Sequence, residues 1–144
     1  MAEAPGLPDS DSPAGRWAAE HLADDIVAWL TTVAPDGTPQ SSVICFLWER
    51  GSILFWSKPN VPRIRNIRLN PRVAFHLQSD PFGDHAFTLE GIACIEEDAP
   101  RSDEHGVYLA KYLEPYAHWG MDAKQTADEF PVAIRVTPTR IRAF

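Results

Sequence analysis

A chain of 144 residues, 44% of them hydrophobic, is long enough for one domain with a real apolar core. Its formal net charge of −7 argues against general attraction to nucleic acid or to an anionic membrane surface. No apolar run approaches the ~20 residues of a membrane span, and the acidic, proline-bearing start does not read as a secretory leader, so a cytoplasmic location is expected.

Residues 1–11, with Pro5, Pro8 and few large apolar groups, read as a disordered tail ahead of a domain over 12–144. Ser12 before Pro13 is a helix start, with a hydroxyl cap and proline in the first turn. Trp17, Ala18, His21 and Leu22 then recur at helical spacing. The period changes at Ile26: Ile26 to Val33 is a β-rich run, Ala34-Pro35-Asp36-Gly37 is turn chemistry, and a long strand is expected from Thr38 to Trp48. That strand is apolar on both faces, with Ile44, Phe46 and Trp48 on one and Val43, Cys45 and Leu47 on the other. It reads as a barrel wall that also meets a partner subunit, so a homodimer is expected.

Glu49-Arg50-Gly51-Ser52 makes the next turn, before a strand from Ile53 to Ser57. A short helix is expected up to Asn70-Pro71, with Asn60 as its cap. Strands follow over Val73–Gln78 and Ala86–Ile95, then a helix from Asp103 to Trp119, then a last strand over Val132–Phe144. Pro138 demands a bulge or an edge in that strand. The expected fold is thus α+β: a six-stranded antiparallel β-barrel with flanking helices. Cys45 and Cys94 sit in apolar stretches and read as core residues, and Glu96, Glu97 and Asp98 as solvated.

The stretch from Ser57 to Arg72 is the most informative for chemistry. It holds five of the thirteen Lys and Arg residues: Lys58, Arg63, Arg65, Arg68 and Arg72. A strand ending in Ser57-Lys58, followed by a helix with Arg63 in its first turn, aims two cations and free backbone N–H groups at one spot. That arrangement suits a phosphate. Arg65, Arg68 and Arg72 read instead as a solvated basic face. His105 and His118 lack a carboxylate or cysteine at ligand spacing, so no metal is expected. No G-x-S-x-G elbow, phosphate loop or G-x-G-x-x-G turn is present, and no catalytic side chain is singled out. His76 and Gln78 share a strand face, and Trp56 lies close enough to the phosphate spot to stack on a ring.

An ordered series of segments resembles the pyridoxamine 5'-phosphate oxidase-like split β-barrel oxidoreductases, whose members bind FMN or the deazaflavin coenzyme F420. The series runs through Leu30-Thr31-Thr32-Val33, Asp36 to Gln40, Phe55-Trp56-Ser57, Arg63 to Ile67, Asn70 to Ala74, Leu89-Glu90-Gly91 and Ile134 to Arg140. The resemblance implies an FMN-binding-like barrel whose cofactor lies between two subunits. By position it puts Gln40, Ser41, Ser42 and Val43 along the ring, and Ser57, Lys58, Arg63 and Asn66 near the phosphate. Ser42 stands where the FMN-dependent vitamin B6 oxidases carry arginine, and the chain stops at Phe144 without their longer C-terminus. The implied function is therefore an F420-dependent reductase that passes hydride to a small-molecule organic substrate, with no nucleic acid or membrane as partner. The rivals are an FMN-dependent oxidase, a non-catalytic cofactor carrier, and a barrel binding single-stranded nucleic acid through Trp56 and the arginines, which the net charge disfavours.

Overall fold

The computed structural model describes residues 5–144. The first four residues of the expected tail therefore lie outside the described residues. Within the rest of it, Leu7 packs against the main core, and the carbonyl of Asp9 lies against Gly15, where any Cβ would collide with it. Ser12 caps helix α1 (Pro13–Asp24) as expected, its hydroxyl accepting from the Gly15 N–H at 3.0 Å.

Seven strands follow rather than six: β1 (Val27–Val33), β2 (Pro39–Cys45), β3 (Leu47–Glu49), β4 (Ser52–Ser57), β5 (Arg72–His76), β6 (Phe87–Ile95) and β7 (Val132–Ala143). They form one antiparallel sheet in the order β2-β1-β5-β6-β7-β4-β3. The long strand expected over 38–48 breaks at Phe46 into β2 and β3, which lie at opposite edges of this sheet. One residue can join opposite edges of a seven-stranded sheet only if the sheet curls until those edges meet. The result is a half-barrel with four flanking helices, α2 (Pro62–Leu69), α3 (Gly106–Trp119) and α4 (Ala123–Glu129) joining α1. No helix among the described residues is long and apolar enough to cross a membrane.

The two-sided apolar pattern around Phe46 now has an explanation inside one chain. Ile44 and Phe46, with Ile53 and Phe55 of β4, enter the main core within the curl, while Leu47, Leu54 and Trp56 join a second cluster under α3 with Tyr108, Tyr112 and Tyr116. All six residues of β4 are buried, because the curl covers one face and α3 the other. Cys45 is half-buried and Cys94 exposed, so neither is a full core residue. The bulge falls where Pro138 required it: Glu90 faces Arg140 but Gly91 faces Pro138, leaving Thr139 as the extra residue. Gly91 has no room for a side chain, since a Cβ would lie 2.6 Å from the Thr137 carbonyl oxygen. The expected helix over 103–119 begins instead with a separate 3-10 turn at Ser102–Glu104. It ends at Gly120, whose left-handed φ of 66° releases the chain into α4. α4 was not expected, although Asp122 followed three residues later by Gln125 is a cap signal; the Asp122 carboxylate accepts from the Gln125 N–H at 2.9 Å.

The break at Phe46 is sealed by Tyr112, which is fully buried. In the β1–β2 register Val27 faces Cys45, so the next pair would be Ile26 and Phe46. The Tyr112 hydroxyl stands between them: it accepts from the Phe46 N–H at 2.8 Å and donates to the Ile26 carbonyl at 2.6 Å. The Phe46 carbonyl takes the Lys111 ammonium at 2.9 Å, and that ammonium also lies 3.9 Å over the Phe46 ring. Replacing Tyr112 by Phe strips both buried backbone groups of their partner. We expect Tyr112→Phe to lower unfolding free energy by about 2–4 kcal/mol, read as a lower denaturant midpoint with unchanged slope.

A second polar cluster ties the ends of three strands to α3. Arg135 on β7 pairs with Glu49 at 3.2 Å and Glu96 at 3.0 Å, so Glu96 is engaged rather than solvated. His105 contacts Glu49 through Nε2 at 2.9 Å while its Nδ1 accepts from the Tyr108 N–H, capping α3. Burial pushes the Glu49 carboxyl up, but hydrogen bonds from Arg135 and His105, with their charges, outweigh it and hold it below the ordinary 4.5. A depressed carboxyl stabilises the fold fully above its unfolded value, and that contribution fades as pH falls through the folded one. Denaturant midpoints measured from pH 6 downward are thus expected to fall below about pH 4.5. In Glu49→Gln that decline is expected to be shallower, from a lower starting stability.

Candidate functional site

β2 runs along a cleft whose other wall is the start of α2. Pro62 opens α2, while Ile64 and Ile67 sink into the main core and so fix which face of the helix meets the strand. The cap position is Val61, not Asn60, and no side chain caps the helix. The Ile64 and Arg65 N–H groups both turn back to the Val61 carbonyl, at 3.1 and 3.5 Å, and Pro62 has none. The cleft, about 550 Å³, is lined by Gln40, Ser41 and Ser42 of β2, by Thr32 of β1, and by Val61, Pro62 and Arg63.

Arg63 is half-buried. No carboxylate pairs with it among the described residues, although Arg101 and Arg135 each hold two carboxylates elsewhere. Burial alone shifts its pKa, pulling it below the ordinary arginine value. This guanidinium has lost part of its hydration without gaining a carboxylate in return.

The other expected site residues divide. Alternation along β2 places Gln40 and Ser42 on the same face as the core residue Ile44, and Ser41 and Val43 on the opposite face. Asn66 is 3% exposed and does not line the cleft; its amide donates to Thr32 Oγ1 at 2.9 Å and to Gln40 Oε1 at 2.8 Å. With its oxygen so held, Gln40 turns its own NH₂ away from Asn66. Ser57 is 1% exposed and its hydroxyl donates to the Lys58 carbonyl at 3.0 Å. The Lys58 ammonium lies 5.4 Å over the Phe130 ring. The structure therefore brings Gln40, Ser41, Ser42 and Arg63 to one cleft, while Ser57, Lys58 and Asn66 stand outside its lining.

Val43 and Arg63 also border a second cavity of about 250 Å³, which extends beneath α3 and α4. Trp56, Tyr108, Tyr116 and Phe130 form its walls. Nothing in the sequence singled out the two tyrosines; their spacing of eight, with Tyr112 between, reads as a buried helix stripe. Burial, and after it the neighbouring Cys45 and tyrosines, pushes the Tyr108 phenol far above its ordinary value, and burial also raises Tyr116. Both remain O–H groups, and Cys45, raised by burial, remains a thiol. No cluster of three or more His, Cys, Asp or Glu side chains placed to hold a metal occurs among the described residues.

Residues 17–144 match the family model described as pyridoxamine 5'-phosphate oxidase, and the chain belongs to that family. Among solved structures, a conserved hypothetical protein of Mycobacterium tuberculosis superposes with a TM-score of 0.74 at 20% identity, over 97% of this chain and 89% of that one. A proposed pyridoxamine 5'-phosphate oxidase of Listeria innocua gives 0.66 at 23% identity, covering 90% and 96%. A protein described as an F420 reductase gives 0.61 at 26% identity, covering 85% and 94%. A search of curated proteins gives no match.

Proposed function

We propose that this member of the family is a coenzyme F420-dependent oxidoreductase acting on a small organic substrate. The observation that carries the reading is Arg63, a half-buried cation without a carboxylate partner, facing a cleft whose other wall is the polar stretch Gln40 to Ser42. Arg63 holds the phosphate of the cofactor tail, helped by its own first-turn N–H. The Gln40 NH₂, set by Asn66, and the edges of Ser41, Ser42 and Val43 orient the ring. When bound, the deazaflavin supplies hydride chemistry, which asks of the protein grip, orientation and exclusion of water rather than an acid–base triad. Ser42 in place of a cation favours the deazaflavin over FMN. Ser57 acts behind the site, bracing the turn at Lys58, and Lys58 adds long-range attraction from beside Phe130.

The active form is a homodimer. Val27, Trp29 and Val43 are more than a third exposed on the neighbouring strands β1 and β2, and Ile92 is equally so on β6. A second copy laid against this face covers apolar surface that water otherwise meets. Sedimentation equilibrium is expected to give a dimer at micromolar protein, and a clean monomer would remove the partner from the site.

Charge-assisted hydrogen bonds to a partly desolvated phosphate are each worth roughly 1.5–3 kcal/mol, so Arg63→Ala is expected to weaken coenzyme F420 binding by ~10- to 100-fold. Arg68→Ala, exposed at the far end of α2, is expected to change it by less than about threefold. Fluorescence titration of the three proteins with coenzyme F420 and with FMN makes both comparisons. Equal losses in the two variants would mean a diffuse basic face, and tighter binding of FMN would assign the chain to the oxidase branch.

A further inference from the structure

The cavity beneath α3 and α4 has aromatic walls and a cation at its border. Trp56, Tyr108, Tyr116 and Phe130 enclose it, and Arg63 is the one charged side chain among the described residues that line it. The rest of the lining is apolar, aromatic, hydroxyl or thiol, with no acid in it. Burial keeps both tyrosines in the O–H form, so they present protons and no negative charge. Charge behind the walls runs the same way. The Lys58 ammonium lies 5.4 Å over the Phe130 ring. The acid felt at Tyr116, after burial and Cys45, is Asp103, and Arg101 pairs with it at 3.0 Å. A concave aromatic space with a cation on its wall and no competing acid is built for a flat ligand that carries negative charge.

We propose that this cavity binds a planar aromatic carboxylate of one or two rings, its charge on Arg63 and its rings between the aromatic walls. Calling that ligand the acceptor substrate rests on the cofactor reading of the adjoining cleft; the ligand class does not. Size fits the class, since a cavity of about 150 Å³ already holds benzene and this one measures about 250 Å³. Charge selects the anion. Arg63 is half-buried and pairs with no carboxylate among the described residues, so a ligand carboxylate supplies the charge-assisted hydrogen bonds that the protein does not. A single guanidinium balances a single negative charge, and its planar fork matches the two oxygens of a carboxylate. Arg63 also lines the cleft. A bidentate contact on the cavity side leaves further N–H donors of the same guanidinium for a phosphate on the cleft side.

The experiment uses 2-naphthoate and 2-naphthamide, which share one two-ring body and differ in charge. Both are titrated by calorimetry into the full-length wild type, Arg63→Ala and Thr126→Phe, without cofactor and then with saturating coenzyme F420. The wild type is expected to bind 2-naphthoate saturably and at least about tenfold more tightly than the amide. Arg63→Ala is expected to weaken 2-naphthoate by ~10- to 100-fold and the amide by less than about threefold, the latter also showing that the variant is folded. Thr126 lines the cavity and not the cleft, so a phenylalanine there is expected to weaken both probes by at least about tenfold and coenzyme F420 by less than about threefold. Saturating cofactor is expected to leave 2-naphthoate bound. Absence of saturable binding, equal affinity for acid and amide, equal losses in Arg63→Ala, or probe binding that ignores Thr126→Phe would overturn the assignment. Displacement of 2-naphthoate by the cofactor would overturn it as well, because the cavity or its cation would then belong to the cofactor. Failure of the proposed function looks different: coenzyme F420 binding would ignore Arg63, while the preference for 2-naphthoate would stand.

Discussion

The position of everything else in this fold follows from the corner at Phe46. The chain leaves one edge of a seven-stranded sheet at Cys45 and enters the opposite edge at Leu47. A turn that sharp interrupts the hydrogen-bond ladder just where the barrel is most buried, and an unpaired backbone group there is costly. Tyr112 resolves the conflict by splicing its hydroxyl into the missing ladder bond, and Lys111 caps the carbonyl left over. The lysine bears a cost of its own: burial pulls its ammonium down to about 8, against the raising influence of Asp25, Cys45 and Asp24. Adjacent residues of α3 thus satisfy both polar groups of one β residue, which pins α3 across the seam.

Pinning α3 also builds the second cavity. With Tyr112 directed into the seam, helical spacing puts Tyr108 and Tyr116 one turn to either side of it on the same face. The Tyr108 ring packs against Trp56 of β4, and Tyr116 shares the same cluster; Trp56 faces outward because the curl has claimed Phe55 and Ile53 for the interior. His105 then fastens the start of α3 to β3 and β7 through Glu49 and Arg135. A structural demand at one peptide bond therefore propagates into the shape of a ligand-sized space about two turns of helix long.

Much of the fold was legible because it rests on local chemistry. Ser12-Pro13 marks a helix start, Arg50-Gly51 marks a tight turn in which both residues have positive φ, at 53° and 72°, and Pro138 marks a bulge. The break at Phe46 was not legible. Its cause is a tyrosine hydroxyl sixty-six residues away, and alternation of apolar residues continues straight through it. The site divided along the same line. Arg63 was readable from helix-start chemistry, and β2 from the family resemblance. Ser57, Lys58 and Asn66 sit close by in sequence, yet their side chains are engaged elsewhere, and only the tertiary partners reveal it: the Lys58 carbonyl, the Phe130 ring, and the pair Thr32 and Gln40.

Asn66 shows how little separates a ligand contact from a support. Its NH₂ has two hydrogens, and the structure uses both, one on β1 and one on β2. It thereby ties α2 to the two strands that flank the cleft and fixes the side-chain amide of Gln40 in one orientation. Arg63 lies three residues earlier on that helix, so the same tie sets how deeply its guanidinium enters the space between α2 and β2. A short helix of eight residues has little intrinsic stability. Its hold on the barrel comes from Ile64, Ile67 and this one amide. The cleft is therefore held in shape by a buried hydrogen-bonded side chain that does not line it, while Arg63 on its wall pairs with no carboxylate among the described residues. The polar bonds around the cleft are thus invested in geometry, and the Arg63 guanidinium stands outside them.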